Sequence, residues 1–171
     1  EAEDLLGRQP VQIEDSRIHD TVGGKVVLVT GGCGSIGSEI CRQVLRFRPL
    51  KLVVVDQAES EMFMLAMSLR GRYPTIELAT EVGDVTSAQR VDEVMRRHEI
   101  DVVFHAAAYK HVPLMEENVL EAVYNNVIGT YNVALAAHRH SAERFILIST
   151  DKAVNPTSVM GLTKRVAELL V

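Results

Sequence analysis

VVLVTGGCGSIGSEI, residues 26–40, decides the fold. An apolar, β-branched run from Val26 to Thr30 enters three glycines at the spacing Gly31-x-x-Gly34-x-x-Gly37, and a helical pattern follows at once. Strand, glycine turn and helix in that order make a phosphate cradle. One glycine allows the tight turn, one lets a pyrophosphate approach the backbone, and one lets helix and strand touch, while the anion rests on helix-start amides such as those of Ser35 and Ile36. Asp56 closes the next apolar run about twenty residues after Gly37, where an acid binds ribose hydroxyls. A nucleotide cofactor is the expected ligand.

Outward from this unit, short β-branched runs alternate with helical patterns. Strands are expected at 26–30, 52–56, 76–82, 101–108 and 144–150, and helices at 35–47, 58–71, 87–98, 116–138 and, after the last strand, a final one to the end. Such alternation predicts an α/β domain, a Rossmann-type doubly wound parallel sheet with strand order 3-2-1-4-5. Residues 1–20 carry six acids against two arginines and no sustained period, so they read as a lead-in packing locally through Leu5, Leu6, Val11 and Ile13. The nucleotide-binding domain is expected over 21–171. The chain ends on AELLV without a cap, so a truncated substrate domain is expected beyond it, and the isolated piece should bind cofactor without turning over.

Composition narrows the classes further. The 171 residues are 47% hydrophobic with a net charge of −5, most of it in the lead-in. Nothing suggests a nucleic-acid surface, and no apolar run has the length of a membrane span. Cys33 and Cys41 read as free thiols of a reducing compartment. His138 and His140 point to different helix faces, no metal site is expected, and His105 is expected to bond backbone at a buried strand end.

Several residues bear on which cofactor binds. A carboxylate at Asp56 repels a 2′-phosphate and favours NAD over NADP, although Arg70 or Arg72 could compensate. Asp84, in Gly83-Asp84-Val85, could accept the adenine amino group or simply cap the following helix. Ala106, Ala107 and Ala108 leave room for a flat cofactor against the backbone, and they also suit ordinary packing. Since a methyltransferase can share the glycine loop and the acid, a second feature is needed.

That feature is the combination of TGGCGSIGSE, HAAAYKHVPLMEENVLEAVYNNVIGTYNV and ISTDKAVNPTSVMGLTKRVAELL. Together they resemble the extended short-chain dehydrogenases, in particular the bacterial polysaccharide-biosynthesis branch that contains the UDP-N-acetylglucosamine 4,6-dehydratases. The resemblance covers about residues 21–171. It implies tightly bound NAD or NADP, a UDP-sugar substrate and a dimer through the two long helices, whose Val123, Val127, Leu135, Val166, Leu169 and Leu170 would equally suit core burial. It also implies a membrane-anchored parent protein with this domain on the cytoplasmic face of the inner membrane, DLLGR at 4–8 resembling the segment after the anchor. By the same resemblance Thr150, Asp151 and Lys152 face the substrate, Lys164 holds the nicotinamide ribose and Asn126 supports the active-site lysine at the cofactor. Lys110 and His111 face the sugar nucleotide or a neighbouring subunit.

Dehydration across carbons 5 and 6 needs a transient ketone at carbon 4, a base for the carbon 5 proton and an acid for the departing hydroxyl. Lys152 is expected as the base, its amine lowered from about 10.4 by burial and neighbouring cations. Asp151 is expected as the acid, which requires a carboxyl raised from about 3.9. From the residues alone, a solvated strand-to-loop pair is the simpler reading. Met160 departs from the pattern of most short-chain dehydrogenases, which place a tyrosine four residues before the lysine. A thioether has no proton to exchange, so Asp151, Lys152 or an ordered water must take the carbon 4 hydroxyl proton. The competing readings are a UDP-sugar 4-epimerase and a cofactor-binding regulatory domain without turnover.

Overall fold

Val26–Thr30 forms strand β1, buried at every position, as the centre of a two-sided sheet requires. The computed structural model describes residues 15–171. Leu5, Leu6, Val11, Ile13 and the DLLGR stretch lie outside the described residues. β2 is Lys51–Asp56, β3 Glu77–Val82, β4 Val102–His105 and β5 Arg144–Leu147. All neighbours are parallel in the order β3-β2-β1-β4-β5, the order the sequence predicts.

Helix α1 (Asp15–Val22) straddles the boundary expected at residue 20, and its Val22 is buried against the sheet. α2 (Ser35–Arg46), α3 (Glu59–Arg72) and α4 (Ala88–His98) fall where helical periodicity places them. Strand alternation sorts the core into two layers. Val27, Val29, Leu52 and Val54 face α2 and α3, meeting Cys41, Leu45, Met62 and Leu65. Leu28, Val53, Val55 and Val103 face the other way, meeting Val91, Val94 and Met95 of α4 and Val133 and Ala136 of a later helix.

Two expected strands overrun. β4 stops at His105 and β5 at Leu147, so Ala106–Ala108 and Ile148–Thr150 belong to loops. The single helix expected over 116–138 is four pieces: α5 (Val112–Glu117), α6 (Val119–Val123), a π-helical turn (Tyr124–Ile128) and α7 (Gly129–Arg139). Asn118 leaves the helical region (φ −130°, ψ 56°) and donates its side-chain amide to Leu114 O at 2.9 Å, which closes α5. The π turn inserts one residue per turn and thereby buries both Asn125 and Asn126. Thr150 then caps a 3₁₀ turn (Asp151–Ala153), and Ser158 caps α8 (Val159–Leu169) by accepting from Gly161 N at 3.1 Å. No helix among the described residues is long and apolar enough to cross a membrane.

Candidate functional site

The strand order reverses between β1 and β4, and the loops leaving these two strands open a crevice at the carboxyl edge of the sheet. Gly31 (φ +65°) shapes the first loop. A Cβ on it would lie 2.5 Å from the Ala107 backbone, so the two loops touch main chain to main chain. A Cβ on Gly37 would lie 2.0 Å from Gly31 O, so α2 is seated directly on the turn. The resulting cleft, about 280 Å³, is lined by Gly31, Gly34, Asp56, Asp84, Val85 and Ala106–Ala108, which sequence reading had grouped, together with Gln57, Glu61, Tyr109 and Asn125, which it had not. Gly34, Ser35 and Ile36 are exposed at the start of α2, leaving its first amides open to an anion.

Asp56 is fixed by the loop it serves. Its Oδ2 accepts from Cys33 N at 2.8 Å and its Oδ1 from Ala58 N at 3.0 Å. Asp84 accepts from Thr86 N at 2.8 Å in a tight turn, while Ser87 caps α4, so the capping role considered for Asp84 belongs to Ser87. Arg90 supports this turn from behind by donating to Val82 O at 3.3 and 3.2 Å and to Glu81 Oε2 at 2.6 Å. Both thiols are pushed up to about 12, chiefly by burial, so Cys33 and Cys41 stay protonated at physiological pH. Arg70 and Arg72 lie in the last turn of α3 and line no part of the cleft; Arg72 stacks on Tyr73 instead. Neither is placed to compensate for Asp56.

His105 is bonded to hydroxyls, not to backbone as expected. Its Nδ1 lies 2.6 Å from Thr30 Oγ1 and its Nε2 3.0 Å from Thr130 Oγ1. Because Thr130 donates its own proton to Asn126 O at 2.7 Å, the proton on His105 sits at Nε2 and Thr30 donates to Nδ1. Burial, reinforced by the Lys164 charge, brings the imidazole down to about 3, so it stays neutral at physiological pH.

Asn126 is fully buried and uses every polar valence on protein. Its Oδ1 accepts from Tyr109 N at 2.8 Å and Asn125 Nδ2 at 3.0 Å, and its Nδ2 donates to Tyr109 O and Thr163 Oγ1, both at 3.0 Å. It therefore does not reach Lys164 or the cleft directly. It ties the loop after β4 to α8 one residue before that lysine. Asn126→Ala takes a partner from Tyr109 N, Tyr109 O and Asn125 Nδ2, while Thr163 keeps its bond to Met160 O at 2.8 Å, and is expected to cost about 3 kcal/mol in denaturant unfolding. A cost below about 1 kcal/mol would show that water replaces the amide.

On α8, Lys164 is buried and donates to Ile148 O at 2.7 Å; burial lowers its ammonium below the ordinary lysine range. Met160 is 3% exposed and packs with Met115 and Ala122. Its thioether fills apolar space. A Cβ on Gly161 would lie 2.5 Å from Lys152 O, so this glycine lets the 3₁₀ turn rest on α8. Asp151 and Lys152 are both exposed, with Lys152 Nζ 3.4 Å from Asp151 Oδ1. The Thr150 hydroxyl, 3.0 Å away, and the Lys152 charge hold the Asp151 carboxyl below the usual range. An acid needs the opposite shift, so the uncovered turn holds Asp151 ionised. Lys110 reaches the phosphate turn, donating to Ser35 Oγ at 3.0 Å, rather than the 150–152 turn; His111 is exposed ahead of α5. Val123, Leu169 and Leu170 are exposed, whereas Val127, Leu135 and Val166 are half-buried.

Thr30, Thr130, Thr163 and Asn125 escaped sequence reading because their roles depend on contacts between distant elements. The available signal was weak: two adjacent asparagines inside an otherwise apolar helical pattern.

The chain is 51% identical over 99% of its length to the probable polysaccharide biosynthesis protein EpsC of Bacillus subtilis, of which it spans 29%. It is 34% identical, over 86% of its length and 42% of the relative's, to a UDP-N-acetylglucosamine 4,6-dehydratase (inverting) of Campylobacter jejuni. A crystal structure of UDP-glucose-4-epimerase from Stenotrophomonas maltophila, with bound NAD and formylated UDP-arabinopyranose, superposes with a TM-score of 0.74 at 25% identity. That match covers 85% of this chain and 47% of the epimerase. The chain thus spans less than half the length of each of these three relatives. With a glycine cradle, an acid-tipped second strand and a buried lysine helix on a 3-2-1-4-5 sheet, and with residues 27–171 matching the family model, the chain belongs to the polysaccharide biosynthesis protein family.

Proposed function

We propose that the longer protein carrying this domain is an NAD-dependent nucleotide-sugar 4,6-dehydratase acting on a UDP-N-acetylglucosamine-type substrate in surface polysaccharide biosynthesis. The observation that carries this reading is the Asp151–Lys152 pair on a turn at the carboxyl edge of the sheet, beside the helix of Lys164. An epimerase needs the ketone alone, whereas loss of water needs an acid and a base close together.

The cleft fits a dinucleotide because a Cβ on Gly31 or Gly37 would collide with the backbone that shapes the cradle. When bound, NAD supplies a hydride acceptor for carbon 4 and a hydride donor for carbon 6, with no net redox. The open amides of α2 and the Lys110 ammonium then face the pyrophosphate, and Lys164 holds the nicotinamide ribose. Lys152 takes the carbon 5 proton and gives it back to carbon 5 as the hydride reaches carbon 6, and Asp151 passes the proton it received from the carbon 4 hydroxyl to the 6-hydroxyl, which departs as water. Covering of the turn by the sugar supplies the desolvation that Asp151 needs to hold that proton. With Met160 buried among apolar side chains, the carbon 4 hydroxyl proton goes to the Asp151–Lys152 turn. A second subunit across the exposed Val123, Leu169 and Leu170 faces and a cytoplasmic place at the inner membrane complete this reading.

Incubation of the full-length protein with UDP-N-acetylglucosamine and NAD, followed by proton NMR, tests it. A 4-keto-6-deoxy sugar is the expected product. A galacto-configured product or an unchanged sugar overturns the dehydratase assignment.

A further inference from the structure

The rim of the dinucleotide cleft carries a second carboxylate. Asp56 is committed at the floor, with one oxygen on the glycine loop and the other on the start of α3. Glu61, in the first turn of α3, lines the same cleft beside Gln57 and Ala58. Residues just past the acid that ends the second strand are those a substituent on the ribose 2′ oxygen must meet. We infer that Glu61 is a second determinant of cofactor preference, guarding the ribose 2′ position against a phosphate. This inference rests on the dinucleotide reading of the cleft.

The charges around that position all point one way. Among the described residues, no lysine or arginine lines the cleft. Cys33 and Glu61 also line an adjoining groove between α2 and α3, where Arg42 is the cation on the wall, and its guanidinium is paired with Glu39 Oε2 at 3.2 Å. The negative field reaches into the glycine loop, since both Asp56 and Glu61 help burial push the Cys33 thiol up. A 2′-phosphate, close to a dianion at neutral pH, therefore meets two carboxylates and no unpaired cation of either wall. One carboxylate facing a dianion across water-rich space changes affinity about tenfold. Asp56 alone therefore does not set the preference, and replacing it alone leaves the Glu61 charge in place.

Titration of NAD and NADP into the wild-type protein, Glu61→Gln and Glu61→Asp by calorimetry tests the inference. Glu61 is exposed, so neither substitution disturbs the core. Glu61→Gln is expected to tighten NADP about tenfold and leave NAD within twofold, while Glu61→Asp keeps the wild-type preference. The difference should shrink at 1 M salt, where screening falls to about 3 Å. Unchanged NADP affinity in Glu61→Gln, or a gain that salt does not reduce, overturns the inference while leaving the dinucleotide reading intact. Weakened NAD binding in Glu61→Gln also overturns it, making Glu61 a ribose ligand instead of a guard. Failure of the wild-type protein to bind either dinucleotide overturns the cleft reading itself, and the inference with it.

Discussion

Lys152→Ala in the full-length protein is expected to lower turnover about a thousandfold while leaving NAD affinity within twofold. General acid–base groups contribute on the order of 100- to 10,000-fold, and Lys152 lies on the 3₁₀ turn, outside the residues that line the dinucleotide cleft. Its side chain is exposed and bonded only weakly to Asp151 at 3.4 Å, so truncation removes no core contact. Turnover from stopped sugar conversion and affinity from calorimetry separate the two effects. A variant that loses NAD affinity instead would make Lys152 a cofactor residue, and one that keeps full turnover would remove it from the chemistry.

Gly37→Ala is the change expected to damage the cofactor site most. The added methyl would sit 2.0 Å from Gly31 O and 2.9 Å from Gly32 Cα, both backbone atoms of the phosphate turn, and neither can rotate away. Either α2 lifts from β1 or the turn opens. The first costs about 3 kcal/mol of stability and about 6–12 °C of Tm for a domain of this size. The second destroys the anion cradle, and NAD affinity should fall at least about a hundredfold. Thermal unfolding and calorimetry on the same variant measure both. Native stability together with native affinity would show that the close contact carries no functional load.

Much of this was legible in the chain because it rests on local patterns. Val26–Thr30 followed by three glycines and a helix, then Asp56 at the tip of the next strand, is a sequence of neighbours whose geometry is set by backbone sterics and hydrophobic period. The parallel order followed from alternating strands and helices, since right-handed crossovers leave few alternatives. The ends of β4 and β5 were misplaced because Ala106–Ala108 and Ile148–Thr150 look like strand, while the ladder ends on the amides of Ala106 and Ile148, which bond Thr30 O and His105 O at 3.0 Å, before the chain enters the loops. The long helix was misread for a related reason: apolar period says nothing about the extra residue of a π turn.

What the sequence determined by itself is the type of machine, a glycine cradle with an acid-tipped strand and a lysine helix whose usual phenol is a methionine. Only the tertiary structure decided how those parts are held. It joined Asn126 to Tyr109 and Thr163, made His105 a neutral link between two threonines, brought Lys110 over the phosphate turn and set Glu61 on the same cleft as Asp56. Each of those pairings joins residues from different elements, or turns on where one side chain is aimed. Local propensity carries no information about them, whereas packing two helix layers against one twisted sheet fixes them all.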